Sequence, residues 1–496
     1  MQIGRAEIFT DVQQIDSTNI IEILQKAVAE HQVNANKFNF LLNYDAGEQP
    51  LQREKSYRSD IDCQCVDNVA NEITEFNLGF KWGYPITLVQ KGQDEGKADL
   101  ITKLNECYDS QNIKAKTQKL GRFVEICGIG YTYIDIANDK TESPFVIESL
   151  DPRFTFVVRS SYYIDRRVML GVTFRIVEGN RYFTCFTNNR RYEINNVYEV
   201  VNGEDRKKES WIEADKSGEA NPLGVVPIIE WFRSYDRMGC FERQISEMDN
   251  LNLLISDFTN DVDQNTQAIW HGNDIDFPKE IVKGADGTVT EKRKDPGTNE
   301  WVITQTTQDG KTPFIKPLAV EYDYQGMLNN IITRRSLILQ KCNVPQRNDN
   351  SGGSTGIAMS DATGWSAAES AACKQQNIME ACKMEEVKAV LRAIAKVNDS
   401  RFKGLLITDI QPNIKRQKTY EMTTKVNFFA TAVSHGINGL HALKAMNAFE
   451  DVNQVWEDSK ELIEKYQDSI FNKQTEAENR LEADYSDQEN NSPNMN

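Results

Sequence analysis

From Phe241 to Ile269, apolar residues recur at helical spacing: Phe241, Ile245, Met248, Leu251, Ile255, Phe258, Val262 and Ile269. This is one face of an unbroken helix of seven or eight turns, about 40 Å long at 1.5 Å per residue. The pattern breaks over 271–318, which holds five glycines and four prolines. It returns near Glu321 with Tyr324, Leu328, Ile331 and Ile338, until Val344-Pro345 ends it. A small β-type insertion therefore interrupts two helices. Within that insertion GTVTEKRKDPGTNEWVITQ predicts a hairpin turning at DPGTNE.

Beyond Pro345 comes NDNSGGSTGIAMSDATGW, residues 348–365, a helix-breaking run of glycine, serine and threonine. A third long helix is predicted from about Ser366 to Val397. Its stripe of Ala368, Ala371, Ala372, Ile378, Met379, Cys382, Val390, Ile394 and Val397 is alanine-rich at its start, which lets another helix approach closely.

The first region reads as mainly helical. STNIIEILQKAVAEHQV forms a short helix behind a Ser/Thr cap. A second passes through Phe38, Leu41 and Leu42 to Gly47, and another runs from about Asp60 to Phe76, before Gly79, Gly83 and Pro85. Roughly 130–232 is a series of short aromatic and β-branched runs, an antiparallel β-rich region with a hairpin turn at Glu178-Gly179-Asn180. Downstream, GLLITDIQPNI is strand-like and NGLHALKAMNAFEDVNQVWEDSKELIEKYQ returns to helix. Residues 474–496 have the composition of a disordered acidic tail. The fold class is α+β, and 496 residues predict two to four regions.

The formal charge of −17 repels a nucleic-acid backbone on average and argues against tight, sequence-specific DNA binding. No G-x-x-x-x-G-K-[ST] phosphate loop occurs, and Gly128-Ile-Gly130 reads as a turn rather than half of a dinucleotide site. Nine scattered cysteines do not resemble a secreted disulfide framework, and Cys63-Gln-Cys65 is too tightly spaced for a usual metal half-site. The dispersed His31, His271, His435 and His441 nominate no catalytic base. No enzyme activity, cofactor or metal is expected. Glu247, Asp249, Asp257, Asp261 and Asp263 read as a solvated or channel-facing side of the first long helix. Arg334-Arg335 and Lys415-Arg416-Gln-Lys418 read as surface charge. The opening MQIGRAEIFTDVQQIDS lacks a signal-peptide core, and no run approaches ~18 apolar residues, so a soluble chain with no membrane span is expected.

The order of these elements resembles the portal proteins of tailed double-stranded-DNA bacteriophages of the long-tailed siphovirus type. The resemblance is carried by Tyr44, Gly47 and Pro50, the Gly79-Phe80…Gly83-Tyr84-Pro85 turn, GIGYTYIDI, Leu150-Asp151-Pro152, and above all NPLGVVPIIEWFRS leading through Gly239 into ISEMDNLNLLISDFTNDVDQN. It covers roughly residues 40–450. Ser234-Tyr235-Asp236 stands where a more Asn-rich turn is expected.

The resemblance implies a homo-oligomeric ring, usually dodecameric, at the capsid vertex of the virion, made in the host cytoplasm. Double-stranded DNA would enter and leave through its channel without sequence-specific binding. It implies a wing at 1–238, stem helices at 239–270 and 319–342, and a clip at 271–318. A tunnel loop would follow at 343–364, a long wing helix with a return strand at 365–424, a crown at 425–473 and the tail at 474–496. Stem packing falls to Phe241, Ile245, Met248, Leu251, Ile255, Phe258, Leu328 and Ile331. The channel contact falls to Asn348, Asn350, Ser351, Gly352, Gly353, Ser354, Thr355 and Gly356, where a glycine- and serine-rich constriction surrounds DNA without gripping it. Lys292, Arg293 and Lys294 of the clip would meet the terminase packaging ATPase and later a head-completion adaptor. The major capsid and scaffolding proteins are further implied partners. Another head-tail adaptor or a baseplate component is the alternative.

Overall fold

The computed structural model describes residues 4–51, 61–91, 95–138, 142–162, 164–200, 207–213, 218–266, 270–275, 279–283, 289–293, 301–306, 310, 312–317, 323–346, 364–416, 422–446, 449, 452, 455–465 and 469. The chain divides into two compact units, Met1–Gln417 and Lys418–Asn496. Helix and sheet are both substantial, so the fold is α+β.

The largest sheet of the first unit has seven strands. Ile8–Thr10 runs parallel to Thr155–Ser160, and the sheet continues antiparallel through Val168–Val177, Asn180–Phe186 and Arg190–Val200. Lys207–Glu213 and Glu219–Ala220 both pair with the last of these. The turn expected at 178–180 is present. Glu178 and Gly179 take φ of 51° and 82°, two successive left-handed residues that match the right-handed twist of the flanking strands.

Helix α1, Ile20–Ala46, covers this sheet with Ile20, Leu24, Ala27 and Val28 packed against Phe156, Leu170, Val172 and Phe183. It is one helix of 27 residues where two were expected. The polar residues that hid its continuity face inward. His31 stacks on Phe156 at 4.5 Å with its Nε2 3.0 Å from the Arg153 carbonyl. Burial drives the His31 pKa down to about 4, so the ring is neutral. Asn34 accepts from the Ala6 amide at 3.2 Å and donates to the Ala6 carbonyl at 2.9 Å, behaving toward that residue as a strand neighbour would.

Helix α2, Val69–Trp82, begins nine residues later than the expected start near Asp60 and continues through Gly79. Helices α3, Glu95–Asp109, and α4, Ile113–Cys127, follow. Gly128 ends α4 at φ 78°, and strand Ile129–Ile136 starts at once, so the Gly128-Ile-Gly130 segment is a turn into a strand. That strand is the centre of a three-stranded sheet with Phe145–Leu150 and Ile228–Phe232. Beside it, Glu125 of α4 is fully buried. Its carboxylate accepts from Trp82 Nε1 at 3.0 Å, Arg233 Nε at 3.0 Å and Gln375 Nε2 at 2.7 Å, with Lys81 Nζ 3.6 Å away. Burial lowers the Lys81 pKa to about 8 against the pull of Glu125.

The described parts of the insertion are β-structured, but among them the two arms of the expected hairpin do not pair with each other. Val289–Arg293 pairs antiparallel with Lys279–Lys283, whereas Trp301–Thr304 lies parallel to Trp270–Asn273. The five-residue connection 284–288 carries Asp286-Gly287, stronger reversal chemistry than the longer, proline-containing 294–300. Of the strand-like stretch GLLITDIQPNI, residues Ile410–Asn413 form a strand, pairing with Thr87–Gln90.

The second unit contains Met422–Ser434, Gly439–Met446 and a helical stretch at 455–465. Its core is Phe429, Val433, Ala442, Leu443, Met446 and Trp456. No helix among the described residues is long and apolar enough to cross a membrane. None of the nine cysteines is in a disulfide.

Candidate functional site

Helix α5, Ile245–Thr266, and helix α6, Tyr324–Lys341, are the two helices expected from the periodicity and pack against each other, and a 3-10 turn at Glu242–Gln244 leads into α5. At their base Phe241, Met248 and Leu251 are wholly buried with Ile338, Leu339, Cys342 and Val344, and Ile245, Ile255 and Ile331 pack on the same core. Phe258 meets Tyr324 edge-on at 6.1 Å, and the Asn265 amide donates to the Tyr324 hydroxyl. Leu328, expected in the helix packing, instead stands 40% exposed with Ile332 beside it. At the far end Trp270–Asn273, leaving α5, pairs antiparallel with Phe314–Pro317, which returns toward α6. Asp323 caps α6 by accepting from the Gly326 amide at 2.9 Å. A β-ladder thus continues the helical pair.

The root of α5 is fixed by charge. Arg5 donates to Glu242 at 2.6 Å, and the same carboxylate oxygen accepts from the Gly239 amide at 2.9 Å. Gly239 has no room for a side chain, since a Cβ would lie 2.2 Å from the Ile126 carbonyl oxygen. Tyr44 stacks on Phe241 and donates to Asp249 at 2.8 Å; burial, then the Asp249 charge, raises its pKa.

The polar residues Asn252, Ser256 and Asn260, one turn apart on α5, are buried beneath an extended strap, residues 61–68. Asn252 accepts from the Asp67 amide at 2.9 Å. Ser256 accepts from the Cys65 amide at 3.0 Å, and Asn260 from the Cys63 amide at 2.7 Å. Asn260 also donates back to the Cys63 carbonyl at 3.1 Å, whereas the single Ser256 hydroxyl proton is shared between the Asn252 carbonyl at 2.7 Å and the Cys65 carbonyl at 3.3 Å. Four helical residues rise about 6.0 Å and two extended residues about 6.6 Å, so the side chains of a helix can serve as the edge of a sheet. Sequence reasoning missed this stripe because buried Asn and Ser at four-residue spacing look like a solvated face. The double variant Ser256→Ala, Asn260→Ala is expected to cost about 1–3 kcal/mol. Amides 63–67 should then exchange faster in hydrogen–deuterium measurements while α5 stays protected.

The carboxylates of α5 are dispersed. Asp257 is exposed, Asp263 accepts from the Cys63 thiol at 3.4 Å, and Glu247 lies 3.8 Å from Arg334. No group of three or more His, Cys, Asp or Glu residues suited to a metal occurs among the described residues. Two of the basic runs are not mere surface charge. Arg335 ties the strap and α2 to α6 through Asp67, at 2.8 Å, and Glu72, while Arg416 pairs with Glu369 at 2.8 Å. Lys292 and Arg293 lie in the Val289–Arg293 strand, and Lys294 falls outside the described residues.

The loop residues Asn348, Asn350, Ser351, Gly352, Gly353, Ser354, Thr355 and Gly356 also lie outside the described residues. Their flanks are among the described residues. At the near end Asn343 takes φ 58°, Val344 is buried, and Gln346 Nε2 donates to the Ser336 carbonyl at 2.6 Å. At the far end Gly364, φ 88°, opens helix α7, Trp365–Val397. A Cβ on Gly364 would lie 3.9 Å from Pro345 Cα, so the chain returns to where it left. The alanine-rich start of α7 does admit a neighbour, with Ala368 and Ala372 packing on Phe80 of α2.

A comparison with curated proteins returns no match. The profile of the family described as Phage portal protein, SPP1 Gp6-like, matches residues 28–476, which span the helical pair, the insertion between its halves and the helix that follows. The chain therefore belongs to the phage portal protein family.

Proposed function

We propose that copies of this chain close into a ring, dodecameric as is usual for portals, with α5 and α6 as its stem. As a portal protein the chain serves viral DNA packaging as a structural component of the capsid vertex. The observation that best supports the finer reading is the meeting of Pro345 and Gly364, which brings the two flanks of the loop together beside the stem. In this reading residues 1–238 are the wing, 271–318 the clip that meets the packaging ATPase and the head-completion adaptor, 343–364 the tunnel loop, 365–424 the long wing helix and return strand, and 425–473 the crown. Lys292, Arg293 and Lys294 are the clip's partner contacts. Asn348, Asn350 and residues 351–356 supply the weak DNA contact, since many strong phosphate contacts would stall translocation. No observation favours the adaptor or baseplate alternative.

Deleting Ser351 to Thr355 tests the channel role, because shortening a loop changes closure entropy only modestly. Procapsids are expected to assemble with intact rings but to package or retain less nuclease-protected DNA. Wild-type genome content per particle would mark the loop as a mere connector.

Ring closure requires a head-to-tail interface with apolar surface left open on the protomer. Leu328 and Ile332, 40% and 56% exposed one turn apart on α6, offer such surface. Leu328→Asp is expected to change protomer stability by no more than about 0.5 kcal/mol, as for an exposed site. Rings seen by light scattering and negative-stain microscopy should nonetheless become rare.

A further inference from the structure

Residues 4–10 form an arm that runs from the edge of the seven-stranded sheet to the root of α5. Ile8–Thr10 adds one parallel edge strand to Thr155–Ser160. Ahead of it, Ala6 pairs with the Asn34 side chain, and the Gly4 carbonyl accepts from Lys37 Nζ at 3.0 Å. Gly4, φ 79°, has no room for a side chain, since a Cβ would lie 1.7 Å from the Asp236 carbonyl oxygen. Arg5 is buried and donates to Glu242 at 2.6 Å and to the Cys127 carbonyl at 3.3 Å. Two residues on, Glu7 accepts from Arg237 at 2.5 Å and adds a second carboxylate to the series Arg159, Glu230, Arg237. Without the arm, its groove would present Glu242 lacking its guanidinium at one end, and Arg159 and Arg237 sharing Glu230 alone at the other. The charge of the groove is thus the complement of Arg-x-Glu, and its shape demands glycine before the arginine.

We propose that this groove is a detachable peptide site that reads an extended Gly-Arg-x-Glu-Ile sequence and is filled by the chain's own N-terminal arm. The arm can open because Ile8–Thr10 has a strand neighbour on one side only and Phe9 is exposed. Arg5 Nη1 is buried with no partner among the described residues, and an unsatisfied buried donor weighs against closure. Val12 and Ile15, next along the chain, pack into the core under α1, so opening stops before them. Release leaves Glu242 with the Gly239 amide alone and loosens the root of α5. The site is therefore a latch on that root, worked by a peptide.

The test uses the full-length chain and a free peptide of residues 4–12 with neutral ends. At peptide concentrations on the order of millimolar, comparable to the effective concentration of a tethered arm, the wild-type amides of residues 6–10 should exchange with deuterium at least about tenfold faster while those of α1 keep their rates. A peptide carrying Arg5→Glu and Glu7→Arg, or Gly4→Ala, should do nothing. In the Arg5→Ala chain, amides 240–248 should exchange about tenfold faster, and the wild-type peptide should slow them again. A merely structural arm would show no such rescue. Unchanged exchange of the wild-type arm would overturn the detachable site, and this arm of the experiment stands even if Arg5→Ala does not fold. Equal displacement by the charge-exchanged peptide would overturn the sequence reading.

Discussion

Leu251→Asp is expected to unfold the base of the helical pair, not simply to prevent assembly. Leu251 is fully buried within its own protomer, among Phe241, Met248 and Ile338. A carboxylate placed there has no cationic partner and costs on the order of 3–5 kcal/mol, with the lost apolar burial adding about 2 kcal/mol. Against a total stability of roughly 5–15 kcal/mol, this removes much of the margin. The melting temperature should fall by roughly 10 °C or more, read by circular dichroism at 222 nm as about 2–4 °C per kcal/mol for a large domain. A variant that melts like wild type yet fails to form rings would move Leu251 from the core to an interface.

Glu125→Ala is expected to be nearly as damaging, for the opposite reason. It leaves Lys81 and Arg233 facing each other without their shared counter-charge, and it orphans the Trp82 and Gln375 donors. Breaking a buried pair from one side costs about 3–5 kcal/mol. Burial pushes the Glu125 carboxyl up, but Lys81 and Arg233 outweigh it and hold the pKa below its ordinary value of 4.5. A depressed carboxyl stabilises the fold above the unfolded-state pKa, and that stabilisation is lost as pH falls through the folded-state value. The gap in denaturation midpoint between wild type and Glu125→Ala should therefore be full at pH 7 and narrow below 4.5. A constant gap down to pH 3 would show that Glu125 acts by packing alone.

The parts of the fold most legible in the sequence were those whose inward faces are apolar. α5, α6 and α7 follow from the 3.6-residue recurrence of residues such as Met248, Leu251, Ile338, Val390 and Ile394, and the 178–180 turn follows from its glycine. What escaped was built from polar residues facing inward. His31 and Asn34 broke the apparent stripe of α1 and split it in two, although each is satisfied by a backbone group. Residues 61–68 fail to extend α2 because their amides are taken by Asn252, Ser256 and Asn260, partners nearly two hundred residues away that no local pattern announces. In the insertion, the turn is expected at DPGTNE, although the shorter Asp286-Gly287 connection carries the stronger reversal chemistry and joins the strands that pair. Of the candidate site, the resemblance supplied the order of parts, while the places where they join, such as Glu242 on Arg5 and Trp365 against Phe76 and Phe80, rest on partners far away in the sequence.

Asn252, Ser256 and Asn260 hold the strap over α5 through its peptide groups, with weak thiol contacts from Cys63 and Cys65 and the Asp67 ion pair to Arg335 as its side-chain ties. Its sequence is thus free to drift in ways that the helix beneath it is not. Asp62, Gln64 and Val66 face outward and could be exchanged for most residues, and even Cys63 and Cys65 contribute amides and carbonyls that any other residue would also bring. The exception is proline, which has no amide hydrogen to give and is barred at 63, 65 and 67. Selection on this joint should appear as three fixed polar positions on one helix facing a segment whose lineage remembers only what it must never become.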